Sequence, residues 1–195
     1  MSKVSMAFIP RLFLAVLCSL AAPGNFSAQL VRTQASPGQQ FSLAFGTVVT
    51  NGVPGPGAGV LSEALEQDHY TFTATAGETL FFHDRGADPN IDWALFDSNN
   101  QQIFRDRLDG FFSGRVTFQN SGTYEVRVFS AGDGTATGRY SFEVHDPQDQ
   151  VFNLALGLIV TNNVPGAGAG RLDIPGQIDS YRFSATAGQT LFFHD

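Results

Sequence analysis

Residues 68–84 read DHYTFTATAGETLFFHD, and residues 179–195 read DSYRFSATAGQTLFFHD. Before the Ala-Gly turn the first stretch alternates: in an extended chain Tyr70, Phe72 and Ala74 fall on one face, and Thr71, Thr73 and Thr75 on the other. The likeness extends outward from there. Residues 41–84 overlay residues 152–195 at a constant offset of 111 without a gap, and 27 of the 44 positions are identical. A period this long implies whole domains in series, not a solenoid of units too small to fold alone.

The same alternation recurs at 123–129, with Tyr124, Val126 and Val128 opposite Glu125 and Arg127, and at 139–145, with Tyr140, Phe142 and Val144 opposite Ser141 and Glu143. Further short apolar runs at 41–45, 48–50, 79–83, 91–96 and 116–118 are divided by Ala-Gly, Asp-Ser-Asn-Asn, Asn-Ser-Gly and Ala-Gly-Asp-Gly turns. No stretch carries a sustained helical period with caps. Strands of this length with one apolar face predict an all-β chain, an antiparallel two-sheet β-sandwich in which the many phenylalanines form the core. Each buried Phe or Leu contributes about 1.5–3 kcal/mol, so core packing is the simplest use of the aromatic residues.

Around this domain the chain divides as follows. Residues 1–28 read as a secretory signal: Lys3 and Arg11 precede the apolar run LFLAVLCSL at 12–20, and AAPGNFSA follows, leaving cleavage after Ala21 or Ala28 open. The run is shorter than the roughly 20 residues that cross a bilayer, so no membrane span is expected once the signal is removed. Cys18 is the only cysteine, and bulky Leu17 before it disfavours lipidation. Residues 29–40 form a polar leader, 41–145 one complete domain, 146–150 (DPQDQ) a linker, and 151–195 a second copy. That copy lacks any counterpart of residues 85–150 and is read as truncated, the start of a longer product with further domains; the alternatives are a frayed tail or strands borrowed from another molecule.

Without Cys18 the chain has no disulfide, thiolate metal site or cysteine nucleophile. Setting Lys3 and Arg11 aside leaves nine arginines against 18 acidic residues. Nucleic acid is excluded as a partner, since phosphate backbones require clustered basic residues, and cations are the better company.

Four pieces, in order and spacing, carry a family resemblance: Asp68-x-Tyr70-x-Phe72 with Ala76-Gly77-Glu78-Thr79-Leu80; Trp93-Ala94-Leu95-Phe96-Asp97; Ser121-Gly122-Thr123-Tyr124-x-Val126-x-Val128; and Thr137-Gly138-x-Tyr140-x-Phe142. Together they resemble the bacterial pre-peptidase C-terminal domain, over about residues 60–144 and the start of the second copy. A Pro-Gly usual before the Asp-x-Tyr motif stands at Pro175-Gly176, but the first copy has Ala64-Leu65 there. The resemblance implies a jelly-roll-like sandwich and a non-catalytic accessory module of secreted or surface proteins. Some such modules are implicated in binding polymers or calcium.

Several residues invite a functional reading of their own. Asp88, Asn90 and Asp92 place oxygen ligands at alternate positions of an extended chain, where they can share a Ca²⁺, and Asp68 is a further candidate ligand. Trp93 and Asn99 occupy the positions where an EF-hand needs glycine and glutamate. Polar turn residues that bond their own backbone are the plainer alternative for all of these. His83-Asp84 suggests a carboxylate orienting an imidazole, but neighbours on a strand point to opposite faces. No other catalytic motif occurs. Arg105, Arg107 and Arg115, near Phe111 and Phe112, read either as a binding edge for an acidic polymer or, with Asp106 and Asp109 interleaved, as a solvated loop.

The expected function is a non-catalytic extracellular module repeated in a larger secreted or cell-surface protein, acting as a spacer or adhesion unit with an extracellular polymer or protein as its ligand. The alternative is an accessory substrate-binding module of a secreted hydrolase such as a peptidase, stabilised by calcium.

Overall fold

The structure is a computed structural model that describes residues 38–110 and 113–194. The expected signal with Lys3 and Cys18, the leader up to residue 37, and Phe111 and Phe112 lie outside the described residues.

The described chain forms β1 (Gln40–Ser42), β2 (Val60–Leu61), β3 (Gln67–Ala74), β4 (Thr79–Ala87), β5 (Ile91–Phe96), β6 (Gln102–Arg107), β7 (Ser113–Thr117), β8 (Gly122–Ser130), β9 (Gly138–His145), β10 (Gln150–Asn153) and β11 (Asp179–Arg182). Strand pairing in the first copy is nested. β5 pairs with β6, β4 with β7, β3 with β8 and β2 with β9, all antiparallel. Such nesting is one long hairpin, and its tip is Asp97-Ser98-Asn99-Asn100. There Asp97 Oδ1 accepts the backbone N–H groups of Asn99 and Gln101 at 2.9 and 2.8 Å, while Asn100 takes a φ of 60° that asparagine tolerates.

Rolling this hairpin also brings β4 against β9 and β5 against β8, which produces the sheets β2-β9-β4-β7 and β1-β3-β8-β5-β6. Two sheets made this way are a jelly-roll sandwich. Their inner faces supply the alternating apolar residues. Tyr70, Phe82, Trp93, Leu95, Val126 and Phe142 are each wholly buried. The Trp93 ring lies 5.3 Å from Phe104 and 5.5 Å from Phe142, edge-on or tilted, as aromatic quadrupoles prefer.

The two-sheet expectation holds, with four differences in detail. β1 runs parallel to β3, pairing Phe41 with Tyr70. Residues 48–50 make no strand, only isolated bridges from Val49 to Phe142 and from Thr50 to Val53. β2 is new, and so is β6: Gln102–Arg107, which carries no alternation strong enough to predict a strand, pairs along β5 as the edge of its sheet.

The second copy repeats the first locally. β10 runs parallel to β11 with Phe152 opposite Tyr181, and their rings stack at 5.3 Å and 22°, as Phe41 and Tyr70 do at 5.0 Å and 21°. Gly170 N–H donates to Tyr181 Oη at 2.7 Å, as Gly59 N–H does to Tyr70 Oη at 3.2 Å. Val53-Pro54 and Val164-Pro165 are both cis. The turn after the Tyr-x-Phe stretch is also repeated, Glu78 N–H bonding Thr75 O and Gln189 N–H bonding Thr186 O, each at 3.1 Å, but residues 190–194, counterparts of the start of β4, form no strand.

Candidate functional site

Two motif pieces that lie far apart in sequence meet in the sandwich. Asp68 and Tyr70 sit on β3 in one sheet and Tyr140 on β9 in the other, and all three face inward with at most 2% exposure. Gly59 N–H donates to Tyr70 Oη, Tyr70 Oη lies 2.6 Å from Tyr140 Oη, and Tyr140 Oη donates to Asp68 Oδ2. Since the Tyr140 proton goes to the carboxylate, Tyr70 must donate to Tyr140, and the bonds run in one direction from backbone to Asp68. Burial pushes the Asp68 carboxyl up to about 6 against the pull of the Tyr140 bond. Burial also raises both tyrosine hydroxyls above their ordinary range, so they remain protonated donors. Sequence reasoning placed Asp68 among metal ligands or backbone acceptors and Tyr140 among the core and motif residues, and it did not pair the two. The chain Asp68–Tyr140–Tyr70 ties the two sheets together.

Asp84 is likewise turned inward. Its Oδ1 accepts Gly86 N–H at 2.7 Å, and its Oδ2 accepts Asp109 and Gly110 N–H at 2.9 and 2.6 Å. It therefore closes the connection after β6. His83 points the other way, with Nδ1 2.8 Å from Glu143 Oε1, which also accepts Arg85 Nη1 at 2.9 Å. Burial works to raise the Glu143 carboxyl, but Arg85, His83 and His145 outweigh it and hold the group below the usual range. The adjacent His83 and Asp84 thus share no bond, and the imidazole's partner lies on β9.

The residues proposed for calcium are placed as follows. Asp92 accepts Arg105 Nε and Nη2 at 3.0 and 2.7 Å on Oδ2, with Arg107 Nε 2.9 Å from Oδ1. Asn90 Oδ1 accepts Arg107 Nη1 at 2.9 Å, and Asp88 Oδ2 accepts Arg139 N–H at 2.8 Å. A cation would have to displace two guanidinium groups from Asp92, and Asp68 is engaged with Tyr140. The donor set does not fit Ca²⁺, and among the described residues no three His, Cys, Asp or Glu side chains converge as metal ligands.

Arg105 and Arg107 therefore stand on β6 as partners of Asp92. Arg115 lies on β7 and does something else. Its Nη1 and Nη2 bond Asp149 Oδ1 and Oδ2 at 3.0 and 2.5 Å, and Nη1 also donates to Gly176 O in the second copy. These bonds hold the Asp149 carboxyl below its ordinary range. No sequence signal marked this contact, because it joins residues 34 and 61 positions apart.

Open spaces lie in both copies, one of about 230 Å³ beside Asp97, Ile103 and Tyr124 in the first and others in the second. A groove of about 690 Å³ is lined by Leu154, Leu156, Leu158, Phe183, Leu191 and Phe193 among others. By the 111-residue offset Leu191 and Phe193 correspond to Leu80 and Phe82, which in the first copy are wholly buried between the sheets. The groove is thus the inner face of half a sandwich.

No protein-family model and no curated protein matches the chain. Solved structures similar to it include a periplasmic inhibitor of g-type lysozyme, PliG, from Aeromonas hydrophila, at 18% identity and a TM-score of 0.43, covering 55% of this chain and 95% of that one. The pre-peptidase C-terminal domain of a Bacillus anthracis collagenase matches at 14% identity and a TM-score of 0.42, covering 57% of this chain and 99% of that one. The Salmonella Typhimurium PliG matches at 18% identity and 0.36, covering 55% and 99%. Among the described residues no helix is long and apolar enough to cross a membrane.

Proposed function

We propose that this chain is a non-catalytic, extracellular β-sandwich module of the pre-peptidase C-terminal kind, repeated in tandem and acting as a spacer or adhesion unit. One observation carries the reading: side chains with chemical potential are spent on holding strands. Asp68 bonds Tyr140, Asp84 bonds three backbone N–H groups, Asp92 bonds two arginines, and His83 bonds Glu143 away from Asp84. Nucleophile, base and orienting group are nowhere gathered among these residues. The test has two arms. Fractionation of producing cells should recover the protein in the medium or on the surface, and the purified chain should turn over no peptide, ester or glycoside substrate. Hydrolysis abolished by His83→Ala would overturn the reading.

A second reading, as the polymer-binding unit of a secreted hydrolase, is favoured by one feature. Arg105 lies 4.8 Å over the Phe129 ring and Arg127 lies 4.0 Å over Phe96, giving guanidinium-on-phenyl pairs along β5, β6 and β8. Retention on an insoluble protein or polysaccharide polymer, lost in Arg105→Ala/Arg127→Ala, would select it.

A further inference from the structure

The two copies diverge most where residues 62–67 (SEALEQ) face residues 173–178 (DIPGQI). Their backbones nevertheless make the same turn. Glu66 N–H bonds Glu63 O at 3.3 Å and Gln177 N–H bonds Ile174 O at 3.0 Å, with positive φ at the third turn residue, 65° at Leu65 and 79° at Gly176. The fourth residue caps both turns from its side chain. Glu66 Oε2 accepts Ser62 and Glu63 N–H, and Gln177 Oε1 accepts Asp173 and Ile174 N–H. This is the pattern of a type II turn, for which Pro-Gly is the favoured central pair and a leucine at φ > 0 is strained. Turn geometry alone therefore leaves unexplained why the two copies differ.

Their surroundings supply the reason. In the first copy Leu65 leans on its own domain, its N–H bonding Gly134 O at 2.8 Å and its side chain filling the space above Gly134. In the second copy Gly176 lies flat against Phe81 on β4 of the first copy, and a Cβ at Gly176 would overlap the Phe81 Cβ and ring carbons. Around that contact Arg115 grips Asp149 with both nitrogens and donates to Gly176 O, while Asp149 Oδ1 also accepts Ile178 N–H at 3.0 Å. An apolar seat, a two-point ion pair and two bonds to backbone thus converge on one turn.

We propose that the Phe81–Arg115 face of one copy is a docking surface for the Pro-Gly turn of the copy that follows it, and that this joint fixes the angle between successive modules. The inference rests on the tandem-module reading. Glycine at the third turn position marks a copy that docks on a predecessor, whereas a leucine there marks one that does not. The partner is accordingly another module of the same kind, recognised by a turn without a Cβ at its apex and an aspartate just ahead of the following strand pair.

Double electron–electron resonance on the full chain tests this, with Cys18→Ser and spin labels at Asn99→Cys and Asn162→Cys, both exposed and one in each copy. The expected result is one narrow distance distribution. Pro175→Ala/Gly176→Leu installs the first copy's own turn residues, which that copy shows to be compatible with the turn, and should abolish the narrow peak. Arg115→Ala should do the same, and Leu65→Gly should leave the peak intact. Trp93 fluorescence, the chain's single tryptophan, confirms in each variant that the first copy is folded. A broad distribution in the parent, or a narrow one that survives both disrupting variants, overturns the joint while leaving the module reading standing. Enzymatic turnover with an intact narrow peak would do the reverse.

Discussion

Phe82 and Phe193 occupy the same place in two nearly identical stretches, yet Phe82 is wholly buried and Phe193 is 74% exposed. Phe81 seats a neighbouring turn, whereas its counterpart Phe192 is 87% exposed. In the first copy these residues belong to β4, flanked by β7 and β9 and covered by the opposite sheet. In residues 151–195 the counterparts of those strands are absent from the sequence, and the same residues make no strand. What survives there is what the stretch can satisfy alone: the parallel pair β10–β11, the Phe152–Tyr181 stack and the Gly170–Tyr181 bond. Local conformation follows local sequence, and burial follows the nested partners.

The comparison is sharpest at the core. Phe82→Ala should lower unfolding free energy by about 3–5 kcal/mol, the usual cost of emptying a buried phenylalanine site. Phe193→Ala should change it by less than about 0.5 kcal/mol, as exposed positions do. Denaturant unfolding followed by far-ultraviolet circular dichroism, which reports strands of both copies, measures both. Equal losses at the two positions would break the distinction.

The polar counterparts differ in the same sense. Asp68 Oδ2 accepts from Tyr140 of the opposite sheet, whereas Asp179 Oδ2 accepts only from Tyr181 Oη, two residues on, at 3.2 Å. The folded chain holds the Asp68 proton up to about pH 6, above the ordinary value of 3.8 that applies on unfolding. Its stabilising contribution is therefore complete below pH 3.8 and is lost as pH rises through about 6. That loss amounts to at most about 3 kcal/mol between the two limits. Asp68→Asn should flatten this part of the stability–pH profile, and a profile that keeps its slope in Asp68→Asn would contradict the assignment.

Calcium gives the smallest expected effect. With Arg105 and Arg107 on Asp92, millimolar Ca²⁺ should leave the melting temperature of the chain where chelator leaves it. A rise that vanishes in Asp88→Ala or Asp92→Ala would restore the ion site.

Much of this fold was legible because one face of each strand is apolar. β3, β8 and β9 announce themselves by strict alternation, and β5 by its continuous run. β6 did not, since Phe104 is the one aromatic it turns toward the core, while Ile103, Arg105 and Arg107 point the other way along an open edge. β2 has two residues, too few for any period. The candidate site was less legible for a different reason. Asp88, Asn90 and Asp92 were grouped by sequence spacing, but their partners are Arg105, Arg107 and Arg139, brought in by strand pairing and a loop across the sheet edge. Asp68 and Tyr140 were both visible as motif residues, yet their bond spans 72 positions and two sheets, and nothing local in the sequence links them. The contact of Arg115 with Gly176 depends in addition on how one copy meets the next.

The central claim is that the same sequence closes a sandwich only where all its nested strands are present. Native-state hydrogen exchange on the full chain addresses it directly, by comparing the amides of Gln67–Ala74 with those of Asp179–Arg182. The first set should exchange only through global unfolding, and the second through local opening, faster by orders of magnitude. Equal protection of β3 and β11 would contradict the account.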